Sequence, residues 1–457
     1  MQSPLRNATY RRLFLAQTVA LLGTGLSTVA LALLAYELAG DEAGLVLGTA
    51  LALKMVAYVG IAPVVGGFAH RLPRRALLVA LDIARATFVA CLPFVSEVWQ
   101  IYLLIFLLNA CSAGFTPTFQ ATIPDILTDE AQYTRGLSLS RLAYDLENLL
   151  SPMIAAAALI VLSYDVLFAA NAAAFALSAL LVLSVRLPRP RPSEREGGVW
   201  HDLSFGIRAY VRTPRLRGLF ALSLAASAGG AMVIVNTAVY VGGRLGGTDA
   251  DTALAFAAAG AGSMALALAL PRLLGRYPDR PFMLAGGLLL TAGLMFGLAD
   301  PEMSGLLIVW FLLGAGGSLV QTPVGRLLRR SARDADRPPI FAAQFALSHA
   351  CWLLAYPLAG WTSAAFGLDV AFAALAAVTL ASTAMAAALW PRDDPSEIEH
   401  RHEVQEHGHL HVHDEHHQHQ HEGWEGPEPH SHPHRHAPLK HKHAFVIDLH
   451  HTVWPTH

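Results

Sequence analysis

The chain reads as an all-α membrane protein: twelve transmembrane helices in two six-helix repeats, followed by a disordered histidine-rich tail. Three observations carry that expectation. Apolar residues fill 54% of the 457 positions and charged residues only 14%, a balance too apolar for an ordinary soluble domain. Stretches of membrane-spanning length recur before residue 391, with basic residues collected in alternate connections. All histidines except His70, His201 and His349 lie at or beyond His400, in a polar tail.

A bilayer core of ~30 Å needs about 20 apolar helical residues at ~1.5 Å each. That template fits near residues 13–37, 45–69, 76–96, 99–122, 137–161, 166–186, 217–242, 252–274, 282–299, 304–327, 340–365 and 369–390. The first stretch follows Arg6, Arg11 and Arg12 without a cleavage-like site, so it is expected to remain as a membrane anchor. Cys91, Cys111 and Cys351 are scattered through apolar spans, which argues against a disulfide framework.

Arginines fix the expected orientation. One side collects Arg11, Arg12, Arg71, Arg74, Arg75, Arg135, the run from Arg186 to Arg217, Arg272, Arg276, Arg280 and the run from Arg326 to Arg337. The other side has Arg244 amid Asp41, Glu42, Glu97, Asp165, Asp300, Glu302 and Asp369. Basic loops stay in the cytosol, which places both termini of this multi-pass protein there.

Sliding the sequence against itself by 205 positions lays Arg71-Leu72-Pro73-Arg74-Arg75 over Arg276-Tyr277-Pro278-Asp279-Arg280, and Pro152 over Pro357. Duplication of six spans accounts for this. The halves are residues 1–187 and 217–391, joined by a linker, 188–216, and followed by the tail, 392–457. Within the linker, Trp200, Leu203, Ile207, Tyr210 and Val211 at helical spacing, near Arg208 and Arg212, predict a short helix. It either lies on the cytoplasmic membrane surface or packs on the bundle.

The run Gly66-Gly67-Phe68-Ala69-His70-Arg71-Leu72-Pro73-Arg74-Arg75 resembles the signature loop between helices 2 and 3 of the major facilitator superfamily, as do the two six-helix halves. The family pattern carries Asp and Gly where this chain has His70 and Pro73. Asp82 and Arg85, spaced i,i+3, are therefore the expected substitute partners for that loop. Two further stretches, Leu139 to Asn148 and Phe341 to Trp352, resemble those of bacterial nickel-resistance exporters, which also end in histidine-rich cytoplasmic tails. The resemblance implies efflux of Ni2+, with Co2+ or Zn2+ as alternatives, driven by proton antiport.

Ionisable groups inside a span cost at least ~2.5 to 3.5 kcal/mol, so each calls for a reason. The fifth span holds Arg141, Asp145, Glu147 and Asn148. Arg141 and Asp145 are i,i+4 and neutralise one another as a structural pair or flank a cargo site. Glu147 points away from Asp145, sharing a face with Tyr144 and Ser151 and with no basic residue within a turn. His349 lies at matched depth in the eleventh span, near the midplane where such transporters bind cargo. Carboxylate and imidazole suit Ni2+ or Zn2+, and either exchanges protons. Asn109 and Gln344 are weaker cavity candidates, and Lys54 is a mid-span charge without an evident role.

In the tail, His407, His409, His411, His413, His416, His417, His419, His421, His430, His432, His434 and His436 are candidate ligands for a divalent cation. In an extended chain, alternate residues share a face about 7 Å apart. The tail holds no cysteine, which argues against Cu(I). No nucleotide loop or nucleophile–base pair is present, so no enzyme activity, nucleic-acid partner or required cofactor is expected. The metal is cargo, the proton its counter-ion, the bilayer its surroundings and a monomer its expected state. Two rival readings remain open: export of amphipathic organic compounds such as drugs or siderophores with an accessory tail, and a membrane-anchored metal buffer or sensor.

Overall fold

The computed structural model describes residues 3–39, 43–159, 161–188, 199–394, 398–402, 405–411, 430–436, 439–443, 445–447 and 454. The first half comprises α1 (Ala8–Ala39), α2 (Ala43–Phe68), α3 (Arg74–Cys91), α4 (Val98–Ile126), α5 (Glu130–Leu159) and α6 (Tyr164–Leu183). A linker helix, α7 (Val199–Arg212), leads to α8 (Pro214–Ala238), α9 (Asp249–Leu274), α10 (Asp279–Gly297), α11 (Met303–Gln321), α12 (Val324–Arg330), α13 (Arg337–Phe366) and α14 (Leu368–Leu389). The span expected over 304–327 is thus interrupted. Pro323, which cannot donate to the helical ladder, separates α11 from the short α12.

Among the described residues, 11 helices are long and apolar enough to cross a membrane. The twelfth is α5, whose 30 residues give ample length. Its Arg141, Asp145 and Glu147 lower the hydropathy.

Packing repeats between the halves as duplication requires. In the first half α1 packs on α6 and α5, α2 on α4, and α3 on α4 and α6. Each contact has its counterpart in the second: α8 on α14 and α13, α9 on α11, and α10 on α11 and α14. The halves meet through α2 against α13 and α5 against α9, again related by the repeat. Glycine permits the tightest of these crossings. A Cβ on Gly314 would lie 1.8 Å from the Ala259 carbonyl oxygen, and one on Gly262 2.0 Å from that of Phe311, so α9 and α11 meet backbone to backbone.

Of the two readings of the linker helix, packing on the bundle is the one observed. Phe205, Ala209 and Tyr210 of α7 are buried, and α7 contacts α2 and α13. A Cβ on Gly206 would come within 2.2 Å of the Pro339 carbonyl oxygen.

The tail composition offered no apolar face to fold against. Its described stretches nonetheless pair in two antiparallel ladders, β1 (Ile398–His402) with β4 (Leu439–His443) and β2 (Gln405–His411) with β3 (His430–His436). The alternating histidine pattern has the two-residue period of a strand, and the register sets His407 opposite His434, His409 opposite His432 and His411 opposite His430. Beyond the ladders, Phe445, Val446 and Ile447 are buried, and Phe445, Ile447 and Trp454 pack with the core of the second half.

Candidate functional site

Between the halves lies a central cavity of about 550 Å3. Gln17 and Thr24 of α1, Lys54 and Tyr58 of α2, and Tyr144 and Glu147 of α5 line it from one side. Ser223 and Ser227 of α8, Gln321 of α11, and Gln344, Phe345, His349, Trp352 and Tyr356 of α13 line it from the other. Of the expected transport residues, Arg141, Glu147, His349, Asn109 and Gln344 reach this wall. The side chain of Asn148 lies outside the described residues.

Asp145 is placed differently. Its carboxylate is not part of the cavity lining; Oδ1 is 2.9 Å from Arg141 Nη2, and Oδ2 accepts a hydrogen bond of 2.7 Å from Ser263 Oγ of α9. Arg141 also donates to Ser263 Oγ from Nε at 3.1 Å and Nη2 at 3.0 Å, and from Nη1 to Gln321 Oε1 at 2.7 Å. The i,i+4 pair read from the sequence is therefore the root of a network that joins the two halves. Both carboxylate oxygens of Asp145 thus have contacts within that network, one to Arg141 and one to Ser263.

Glu147 is the opposite case. Among the described residues its carboxylate has no hydrogen-bond or ion-pair partner, yet it faces the cavity and lies within electrostatic reach of Lys54. The Lys54 ammonium sits 5.6 Å from the Tyr58 ring centre, and that ring meets His349 edge-on with centroids 4.6 Å apart. His349 Nδ1 is 2.7 Å from the Phe345 carbonyl oxygen, which can only accept. That bond fixes the tautomer, leaving Nε2 with its lone pair as the reactive nitrogen. Among the described residues the cavity thus combines a carboxylate and an ammonium without an ion-pair partner and one oriented imidazole, each carried on a helix.

Asn109 and Gln344 are largely committed elsewhere. Asn109 Nδ2 donates 2.7 Å to the Ile105 carbonyl, while Gln344 Oε1 accepts from the Tyr210 hydroxyl and Nε2 donates 3.4 Å to Ser223 Oγ. These bonds tie α4 to itself and α13 to α7 and α8.

The signature loop differs from expectation in its partner. Asp82 and Arg85 pair with each other inside α3, where Ser178 Oγ donates 2.8 Å to Asp82 and the Arg85 guanidinium lies 4.0 Å from the Phe115 ring and 4.4 Å from that of Phe175. Among the described residues neither pairs with the loop. Arg74 instead pairs with Asp125 at the end of α4, and Asp125 also holds Arg337 at the start of α13. A shared carboxylate between two nearly buried arginines is a strong clamp, since loss of either charge strands the other. Gly66 belongs to the same seam, where a Cβ would lie 2.4 Å from Cβ of Ala342. Arg71 and Arg75 are exposed, and the His70 side chain lies outside the described residues.

A second clamp stands beside the first. Glu130 at the start of α5 lies 3.2 Å from Arg326 Nε and 3.0 Å from Arg329 Nη1, both on α12 of the other half. All of these residues sit at the basic end of the bundle. At the acidic end the pairs among the described residues stay within one half: Arg244 with Asp300 at 2.5 Å and with Asp369 at 2.7 Å, and Tyr164 with Glu37. The halves are therefore locked together at the basic end.

Among the described residues no group of three or more His, Cys, Asp or Glu is placed to hold a metal ion. Of the candidate ligand set, His413, His416, His417, His419 and His421 lie outside the described residues, and for His407, His409, His411, His430, His432, His434 and His436 only the backbone register is described. Sequence reasoning noticed Lys54 without finding its role, set Gln321 aside as one more polar group within a span, and overlooked Tyr58, Ser263, Asp125 and Glu130. Depth matching along helices, as used for His349, was the signal that would have placed Lys54 and Tyr58.

Two pseudo-symmetric six-helix halves, a midplane cavity between them and ion pairs closing one end define a multi-pass membrane transporter rather than an enzyme. A family model for the Major Facilitator Superfamily matches residues 13–300 and 219–441, and the chain belongs to that superfamily. It is 30% identical over 193 residues to the MFS-type transporter YfiS of Bacillus subtilis (strain 168), covering 41% of this chain and 45% of that one. It is 24% identical over 190 residues to macrolide efflux protein A of Enterococcus faecalis, covering 39% and 58%. The chain thus spans about half the length of the curated relatives it matches. Among solved structures, the human organic anion transporter MFSD10 (TETRAN) superposes with a TM-score of 0.73 at 15% identity, over 84% of this chain and 100% of that one. That likeness is one of fold.

Proposed function

We propose that this chain is a secondary-active exporter of a divalent transition metal, Ni2+ first with Co2+ and Zn2+ as siblings, working by alternating access against a counter-flow of protons. The observation that carries the reading is the placement of Glu147 and His349. An unpaired carboxylate and an imidazole with a free Nε2 face one cavity from opposite halves. Each is a ligand for such ions, and each must shed or refuse a proton to bind one, which couples the two flows. The register-paired tail histidines supply a matching acceptor for the same ions outside the bundle. The basic end is assigned to the cytosol and the membrane to the bacterial inner membrane. Closure at the basic end then corresponds to the release stage of an exporter.

The test is transport by the full chain in proteoliposomes under an imposed pH gradient, with Ni2+, Co2+ and Zn2+ offered separately. Metal movement that responds to the gradient and is lost in Glu147→Gln and His349→Ala supports the proposal. No movement of any of the three ions refutes it.

A second reading rests on Lys54 and the aromatic wall. An ammonium in the cavity repels a cation, while Tyr58, Phe345, Trp352 and Tyr356 suit an amphipathic organic cargo, and one relative is named for macrolide efflux. Drug efflux in the same vesicles, unaffected by metal, would favour it.

A further inference from the structure

Arg215, at the start of α8, is 2% exposed, an unusual burial for a guanidinium. Its neighbours come from the two flanks of the histidine-rich segment. On the near flank, Asp394 Oδ1 stands 3.4 Å from Arg215 Nη1, an ion-pair contact without hydrogen-bond alignment. On the far flank, Arg215 Nη2 donates 3.2 Å to the Phe445 carbonyl, and the Trp454 ring centre lies 4.9 Å from the guanidinium carbon. Phe445 and Trp454 pack against one another with centroids 5.0 Å apart. The chain leaves the bundle and returns to it at one arginine, with β1 paired to β4 and β2 to β3 between.

The same corner touches the clamp between the halves. Asp394 also takes Arg330 of α12, Oδ2 lying 2.5 Å from Nη2, and accepts a 3.0 Å hydrogen bond from Trp390 Nε1. The α12 helix runs only from Val324 to Arg330, and its Arg326 and Arg329 hold Glu130 of the other half. One short helix is therefore held on one side by the flank of the tail and on the other by the opposite half of the transporter.

We propose that Phe445 to Ile447 and Trp454 form a latch: they dock on Arg215, fix Asp394 against Arg330, and so stabilise the arrangement that is closed at the basic end. Undocking exposes a buried cation, loosens Asp394 and frees α12 to leave Glu130. The surface formed by Arg215, Trp390 and α12 is thereby assigned an occupant, the chain's own end. This holds whatever the cargo, so it stands or falls apart from the transport reading.

The experiment uses the full chain in lipid nanodiscs, with spin labels at the exposed positions Arg75 and Arg276, which lie at the basic end of opposite halves. Native cysteines are replaced beforehand. Docking is followed in parallel by the rate of trypsin cleavage in the tail. Phe445→Ala combined with Trp454→Ala removes the latch without touching the bundle, and truncation after residue 444 provides a second variant should the first fold poorly. Faster tail cleavage together with a longer inter-label distance, its population raised about fivefold or more, is the expected result. Faster cleavage with an unchanged distance distribution overturns the coupling, and no change in either overturns the docking.

Discussion

Glu147 and Asp145 lie two residues apart on α5, and neutralising each should have opposite consequences. Asp145→Asn removes the counter-charge from Arg141 and weakens the acceptor for Ser263, contacts of 2.9 Å and 2.7 Å. Stranding a buried partner costs about 3–5 kcal/mol. Here Arg141 is 23% exposed and keeps Gln321 and Ser263, so a loss of about 2–3 kcal/mol is expected, within the range for hydrogen bonds to charged groups. Because the partners sit on α9 and α11, part of that loss falls on the contact between halves. Glu147→Gln keeps the shape and breaks no contact to a described residue, so stability should stay within about 0.5 kcal/mol. Its transport of metal should fall by more than about 100-fold, since even outer partners of metal ligands contribute 10–100-fold. The assay pairs thermal unfolding of purified protein with proteoliposome transport. A Glu147→Gln protein that melts early, or transports normally, refutes this division of labour; so does an Asp145→Asn protein as stable as its parent.

Asp125→Asn should release Arg337 and Arg74 together and populate the form open at the basic end, read as faster labelling of a cysteine placed at Thr116 in the cavity. Gly314→Ala should lower folded yield sharply, because its Cβ would meet the Ala259 carbonyl oxygen at 1.8 Å, whereas Gly317→Ala, with nothing within 4 Å, should be neutral. Lys54→Met should tighten binding of a cationic cargo and weaken that of an anionic one, measured by calorimetry on the purified chain. A peptide of residues 396–444 should bind Ni2+ well at pH 7.5 and poorly at pH 5.5, because imidazoles with an ordinary pKa near 6.5 must be neutral to ligate.

The spans and their duplication were legible in the sequence because hydropathy and repeat are local or periodic signals. Long apolar runs set the spans, and the overlay of Arg71-Leu72-Pro73 on Arg276-Tyr277-Pro278 foretold that each contact would occur twice. Glu147 was legible for a similar reason: no basic residue lay within a turn on its face, and none was found paired to it. The clamps were not legible. Arg337 and Asp125 are 212 positions apart, and nothing in either neighbourhood distinguishes them from other charges at a basic end. Asp82 and Arg85 were expected to serve the signature loop on spacing alone. That spacing is satisfied just as well by their pairing with each other inside α3. Arg215 looked like one more basic residue of the linker region; its burial depends on a segment 230 positions away.

Cavity size bears on the choice between a metal ion and an organic molecule less than it first suggests. A water molecule occupies about 30 Å3, so six of them take roughly 180 Å3, and a space of about 550 Å3 admits a hydrated divalent ion with room to turn. One carboxylate and one imidazole would replace only part of that shell. An exporter needs such a site, because a fully wrapped ion would be held too tightly to leave. On the proposed reading the tail would bind tightly without penalty to turnover, and the register that sets His407, His409 and His411 opposite His434, His432 and His430 suits several ligands per ion. Weak ligation in the conduit and strong ligation outside it are what a capture-and-release path requires. An organic cargo gives no such reason for the histidine ladders. Competition should therefore decide the matter: if excess Ni2+ fails to slow efflux of an organic substrate through the cavity, the two do not share it and the metal reading loses its site.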